Sequence, residues 1–168
     1  MAEQQFCTFF LNGVFFGVNV QQVQEVICYQ EMTHVPLAPS DICGLINLRG
    51  QIVTVIDLQR RLDMSKSTKR SLSEQDEQLG YNVLVRDDNE VVSLLVDDIG
   101  DVLEVTDDSF EPPPATLKGK VSQMLKGAYK LQDGFLLVLD TEKILDVKGV
   151  RIQETEARRI PPNKDRFE

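Results

Sequence analysis

The sequence predicts a mainly β, all-β-class fold, built as two small β-barrels side by side with a few short helices. Three observations lead there. Strand-like apolar runs recur along most of the chain, and two pairs of them flank Asn12-Gly13 and Asp133-Gly134. The segment GLINLRGQIVTVIDLQRRL (44–62) aligns without a gap on GAYKLQDGFLLVLDTEKIL (127–145), matching Gly44 with Gly127, Asp57 with Asp140 and Leu62 with Leu145. VQQVQEV (20–26) aligns on IGDVLEV (99–105), setting Glu25 against Glu104. The order of these pieces is the same in both halves, as an internal repeat requires. Each half has about 60–70 residues, too few to bury a large core alone, so the halves are expected to share an apolar interface.

In chain order, FCTFFL (6–11) and VFFGV (14–18) form a hairpin around Asn12-Gly13. That dipeptide suits a type I′ turn, which needs positive φ at both central residues. VQEVICY (23–29) alternates partially. QIVTVID (51–57) is β-branched and nearly continuous in apolar character, as in a strand buried on both faces. LQRRL (58–62) makes about one helical turn by the 3.6-residue helical period. YNVLVR (81–86) and VVSLLV (91–96) flank the polar tip 87–90, and VLEV (102–105) follows. AYKLQ (128–132) and FLLVL (135–139) form a second hairpin, and TEKILDV (141–147) a short helix with Thr141 as its N-cap. The first barrel half spans about residues 5–62 and the second 79–147, with exchange of strands between them left open. Residues 63–78 hold four Ser and seven charges and read as a polar linker. Residues 148–168, with Pro161-Pro162, read as a charged tail.

Composition narrows the function. The chain has 168 residues and a formal charge of −9, with 18 Lys+Arg against 27 Asp+Glu. That balance argues against nucleic acid or anionic lipid as a general partner. The acids concentrate late: ten fall between Asp87 and Glu111, with no Lys or Arg. They read as a solvated face, a docking surface for a basic partner, or protection of exposed strand edges. Cys7, Cys28 and Cys43 contain no CxxC and, being odd in number, close no disulfide framework. Without a basic N-region or an apolar run of ~20 residues, the sequence reads as cytoplasmic and unanchored.

No catalytic motif is found: GxGxxG, GxxxxGK[ST], HExxH, GxSxG and the EF-hand loop are all absent. The one histidine, His34, lies in a loop beside Val35-Pro36 and excludes mechanisms that need two. The repeated apolar-strand-then-Asp, at Asp57 and Asp140, suggests an aspartyl hydrolase. Neither Asp is followed by the Thr/Ser-Gly such a site needs. The alternative is that each carboxylate caps the helix behind it. One segment has polar residues that look placed. Arg49, the sole basic residue before Arg60, sits at a turn with Gly50 free to take positive φ. Its planar guanidinium suits docking, or an internal pair with Glu25.

These residues resemble the CheW family of chemotaxis adaptors. The likeness rests on Phe16-Gly17-Val18, Val23-Gln24-Glu25-Val26-Ile27, Val35-Pro36, ICGLINLRGQIVTVIDLQRRL (42–62), VVSLLVDDIGDVLEV (91–105), the Pro112–Pro114 loop and the hairpin and helix at 127–145. It covers residues 5–147. The resemblance implies two five-stranded SH3-like barrels around a shared third core, no enzymatic activity and no cofactor or metal. It implies a cytoplasmic scaffold, monomeric when free, linking chemoreceptor signalling tips to a CheA-type histidine kinase, in flagellar chemotaxis or in a pilus or second-messenger pathway. By position, Val23, Glu25, Asn47, Arg49 and Gly50 would face the receptor. Asn82, Val83 and Val85 would face the kinase from an exposed strand edge.

Overall fold

A computed structural model describes residues 3–64, 80–87, 90–117 and 119–146. Most of the polar segment 63–78 and all of the tail 148–168 lie outside the described residues. The strands are β1 (Glu3–Leu11), β2 (Val14–Asn19), β3 (Val23–Cys28), β4 (Ile42–Leu48), β5 (Gln51–Asp57), β6 (Tyr81–Asp87), β7 (Glu90–Val96), β8 (Asp98–Thr106), β9 (Phe110–Glu111), β10 (Leu125–Leu131) and β11 (Gly134–Leu139). The helices are α1 (Leu58–Arg61), α2 (Lys120–Gln123) and α3 (Thr141–Leu145). Asn12 and Gly13 take φ of 51° and 81°, the left-handed pair expected for the β1–β2 turn.

The strands form two sheets, ordered β8-β1-β2-β11-β10-β9 and β3-β6-β7-β5-β4. In the internal repeat, β3 corresponds to β8, β4 to β10, β5 to β11, and the hairpin β1–β2 to β6–β7. With that correspondence the two sheets have one strand order, and the short β9 answers to the isolated Thr33–Leu45 bridge beside β4. Each sheet therefore takes its hairpin from one half of the chain and its other strands from the other half. The parallel pairs β11 with β2, and β5 with β7, are the seams of this exchange. A sheet cannot be completed by either half alone, which ties the two halves into one folding unit.

Side chains divide into three cores. Ile46, Val53, Val55 and Leu95 fill the concave side of the five-stranded sheet. Phe6, Tyr129, Leu136 and Val138 fill that of the six-stranded sheet. The largest cluster lies between the sheets, where Phe9, Phe16, Ile56, Leu94, Leu137 and Ile144 meet. Val53 to Ile56 are buried in succession because β5 faces two cores at once, as its nearly continuous apolar run predicts. Ile27, at one margin of the five-stranded sheet, packs on the cluster containing Ile46 at the other margin. The sheet therefore curls toward a barrel.

The repeated glycines have a steric cause. A Cβ on Gly44 would lie 2.6 Å from the Thr33 carbonyl oxygen, because Thr33 bridges to Leu45 across the margin of β4. A Cβ on Gly127 would lie 2.6 Å from the Glu111 carbonyl oxygen, where β9 crosses β10. Gly44→Ala should thus destabilise, by roughly 1–3 kcal/mol as overpacking does, although glycine in a strand interior is normally the weaker residue. Chemical denaturation checks this, and an unchanged or raised midpoint would contradict the close approach.

The helix caps refine one expectation. Asp140, not Thr141, is the N-cap of α3: its Oδ1 accepts from the Glu142 and Lys143 amides at 3.1 and 3.4 Å. Thr141 is already helical and buried, and its Oγ1 accepts a hydrogen bond from Gln22 Nε2 at 2.8 Å. Its hydroxyl joins elements from the two halves instead of serving its own helix.

Candidate functional site

The β4–β5 turn consists of Arg49 and Gly50, with φ of 53° and 86°. Both central residues are left-handed, so this is a second turn of the primed kind. Gly50 adopts it freely, while an L-residue such as Arg49 there costs about 1–2 kcal/mol. Asn47 supports the turn, its Oδ1 accepting from the Gly50 amide at 3.0 Å. The turn projects Arg49 outward, leaving its side chain 66% exposed.

Glu25 reaches the same place from β3. A register shift between Val23 and Glu25 interrupts the β3–β6 ladder, and bulges of this kind re-aim side chains. The Arg49 Nη2 donates to Glu25 Oε2 in a direct ion pair. Strands β3 and β4 stand at opposite margins of their sheet, so the pair exists only because the sheet curls. Val23 is half-buried beside it and packs on the core between the sheets. Glu25, Asn47, Arg49 and Gly50 thus meet at the rim of the five-stranded sheet, with Val23 two residues before Glu25 on β3.

The other barrel lacks this arrangement. Gln132 occupies the position matching Arg49, and Glu104 matches Glu25. Glu104 faces Glu3, whose side-chain hydrogen bond and negative charge raise its carboxyl pKa. The five-stranded sheet offers an arginine-carboxylate pair and the six-stranded sheet a carboxylate-carboxylate pair.

Asn82, Val83 and Val85 are placed differently from the expectation. All three are buried, with 0–1% of their surface exposed, because β6 is a central strand between β3 and β7. They build the core and offer no surface to a kinase. Asn82 instead anchors a buried polar contact, its Oδ1 accepting from Ser93 Oγ at 2.7 Å. Ser93→Ala would leave that acceptor unsatisfied, so a loss of about 1–3 kcal/mol in denaturation experiments is expected.

Asp57 and Asp140 form no catalytic pair. Asp57 Oδ1 accepts from the Arg60 amide at 3.3 Å, and Asp140 is engaged with α3 as described. Each carboxylate serves its own helix. Sequence reasoning missed Arg61, which is buried and donates to the carbonyls of Ile144 and Lys143, both at 2.9 Å. It satisfies carbonyls at the end of α3 from the opposite half of the chain. Its only signal was a second arginine in an otherwise amphipathic turn.

Two exchanged small barrels, a rim pair of arginine and carboxylate, and aspartates engaged as helix caps characterise this class of β-barrel protein. A family model described as a CheW-like domain matches residues 5–149. The chain belongs to the CheW family, and it is not an enzyme. It is 28% identical over 147 residues to the chemotaxis protein CheW of Treponema pallidum, covering 88% of this chain and 85% of that one. It is 28% identical over 155 residues to the chemotaxis protein CheW of Klebsiella aerogenes, covering 92% and 89%. Among solved structures it is similar to the scaffolding protein TtCheW of Thermoanaerobacter tengcongensis, with a TM-score of 0.74 and 26% identity over 88% of this chain and 96% of that one. No helix among the described residues is long and apolar enough to cross a membrane.

Proposed function

We propose that this protein is a cytoplasmic scaffold that couples chemoreceptor signalling tips to a CheA-type histidine kinase. The observation that carries the reading is the exposed Arg49, presented on a left-handed turn beside the Val23-Gln24-Glu25 margin strand. Val23 and the apolar rim supply contact area, Glu25 orients the guanidinium, and Asn47 and Gly50 hold the turn in shape. Arginine on a pre-formed support loses little freedom on binding and suits an energetic centre. Since β6 is central, kinase contact falls to the sheet margins instead of Asn82, Val83 and Val85. The free protein is monomeric and binds no nucleic acid in this reading.

Such a scaffold transmits a signal only if receptor states differ in how well they fit the scaffold–kinase unit. The test is co-purification of the chain with a CheA kinase and a receptor signalling fragment, followed by autophosphorylation of the kinase. A ternary complex whose kinase activity depends on the chain supports the proposal. Absence of the complex, or receptor control that persists without the chain, refutes it. The acid-rich stretch 87–111 favours a second reading in which the pathway output is pilus motility or a second messenger. Deletion in the source organism separates these outputs.

A further inference from the structure

A cavity of about 260 Å³ opens on the six-stranded sheet, far in the topology from the Arg49 turn. Part of its wall is aromatic, formed by Phe6, Phe110 and Tyr129. Phe110 packs on Tyr129 with ring centroids 5.1 Å apart, and Phe6 packs on Tyr129 at 5.5 Å. Phe110 is held there by a device visible in the backbone: a Cβ on Gly127 would lie 2.3 Å from the Phe110 ring. Only glycine at 127 lets the ring lie against β10. Phe110 keeps 44% of its surface exposed, whereas Phe6 and Tyr129 are each 2% exposed.

The polar rim is pre-arranged. Asn19 Nδ2 donates to Gln4 Oε1 at 3.0 Å, and Gln4 Nε2 donates to Asp107 Oδ1 at 3.1 Å. That relay holds the exposed Asp107 carboxylate at the mouth. Among the described residues no hydrogen bond reaches the Tyr129 hydroxyl, although the residue is almost wholly buried. Burial and the nearby Asp107 charge both raise the pKa of that hydroxyl, which keeps it protonated.

We propose that this cavity receives a single basic side chain, an arginine or lysine, from a protein partner. The cation would lie over the exposed face of Phe110 and beside the Asp107 carboxylate. Size supports a side chain over a cofactor, since sites for drug-sized molecules span roughly 300–1,000 Å³. Charge supports a cation: Asp108 and Glu111 are exposed in the same segment, and no base occurs between residues 87 and 111. Aromatic faces attract cations within about 6 Å of the ring centroid. Lys126 is the one cation lining the cavity among the described residues, and it weakens the attraction.

The test uses N-acetyl-arginine amide as probe on the full chain, read by NMR at the Phe110 and Tyr129 rings in low salt. Saturable shifts are expected, at least threefold weaker with N-acetyl-leucine amide. Asp107→Asn should weaken the arginine probe about threefold and Lys126→Ala should strengthen it about twofold. Opposite signs from two rim residues cannot arise from general loosening of the fold. No saturable shift, an equal response to the leucine probe, or insensitivity to both substitutions would overturn the proposal.

Discussion

Replacing Arg49 with glutamate is expected to abolish receptor-dependent control of the kinase while leaving the fold intact. The two effects separate for physical reasons. In the free protein the Arg49–Glu25 pair is solvent-exposed on the arginine side. Exposed pairs contribute about 0–1 kcal/mol, so their loss barely moves the unfolding midpoint. The left-handed backbone strain at position 49 is the same for any L-residue that lacks a short polar side chain, so it does not discriminate either. At an interface the same residue is a candidate energetic centre, where truncation costs about 2 kcal/mol or more, at least ~30-fold in affinity. Glutamate adds repulsion from Glu25. A pull-down with a receptor signalling fragment, paired with a thermal melt, measures both. A folded Arg49→Glu protein that binds the receptor fragment normally would remove Arg49 from the proposed site.

The second large effect lies in the core. Phe16 is fully buried between the sheets and stacks near Phe9, with ring centroids 6.3 Å apart. Phe16→Ala should cost about 3–5 kcal/mol, a large share of the roughly 5–15 kcal/mol of a typical domain. The exchange of hairpins adds a sharper expectation. Tyr81 sits on the five-stranded sheet and Tyr129 on the six-stranded one. Although Phe16 belongs to the six-stranded sheet, both tyrosine signals should lose their native environment at one lowered denaturant concentration. If Tyr81 kept the wild-type midpoint while Tyr129 shifted, the sheets would be independent units and the shared core would not couple them.

Much of this architecture is written locally. Asn12-Gly13 specifies its turn because two adjacent residues can take positive φ there. The nearly continuous apolar run 51–57 foretells burial on both faces, which holds for residues 53–56. Asp57 and Asp140 stand one residue before short amphipathic turns, which is where a carboxylate caps a helix. The pairing of Glu25 with Arg49 was also open to inspection, as two lone charges in apolar surroundings. The error at Asn82, Val83 and Val85 has a specific cause. Alternation shows that a segment is a strand, but it does not show whether the strand stands at a margin or in the middle of a sheet. YNVLVR reads the same in either place.

Most of the strands, the primed turn at Asn12-Gly13, the repeat and the solitary Arg49 were legible from residue order alone, while β9 and α2 were not. The reason is that periodicity and turn chemistry act over a few neighbouring residues. Which hairpin completes which sheet is settled by long-range packing. That choice depends on contacts between residues far apart in the chain, through the parallel seams β5–β7 and β2–β11. It buries β6, retires the expected kinase edge, sets Arg61 against the end of α3, and curls one sheet until Glu25 and Arg49 meet.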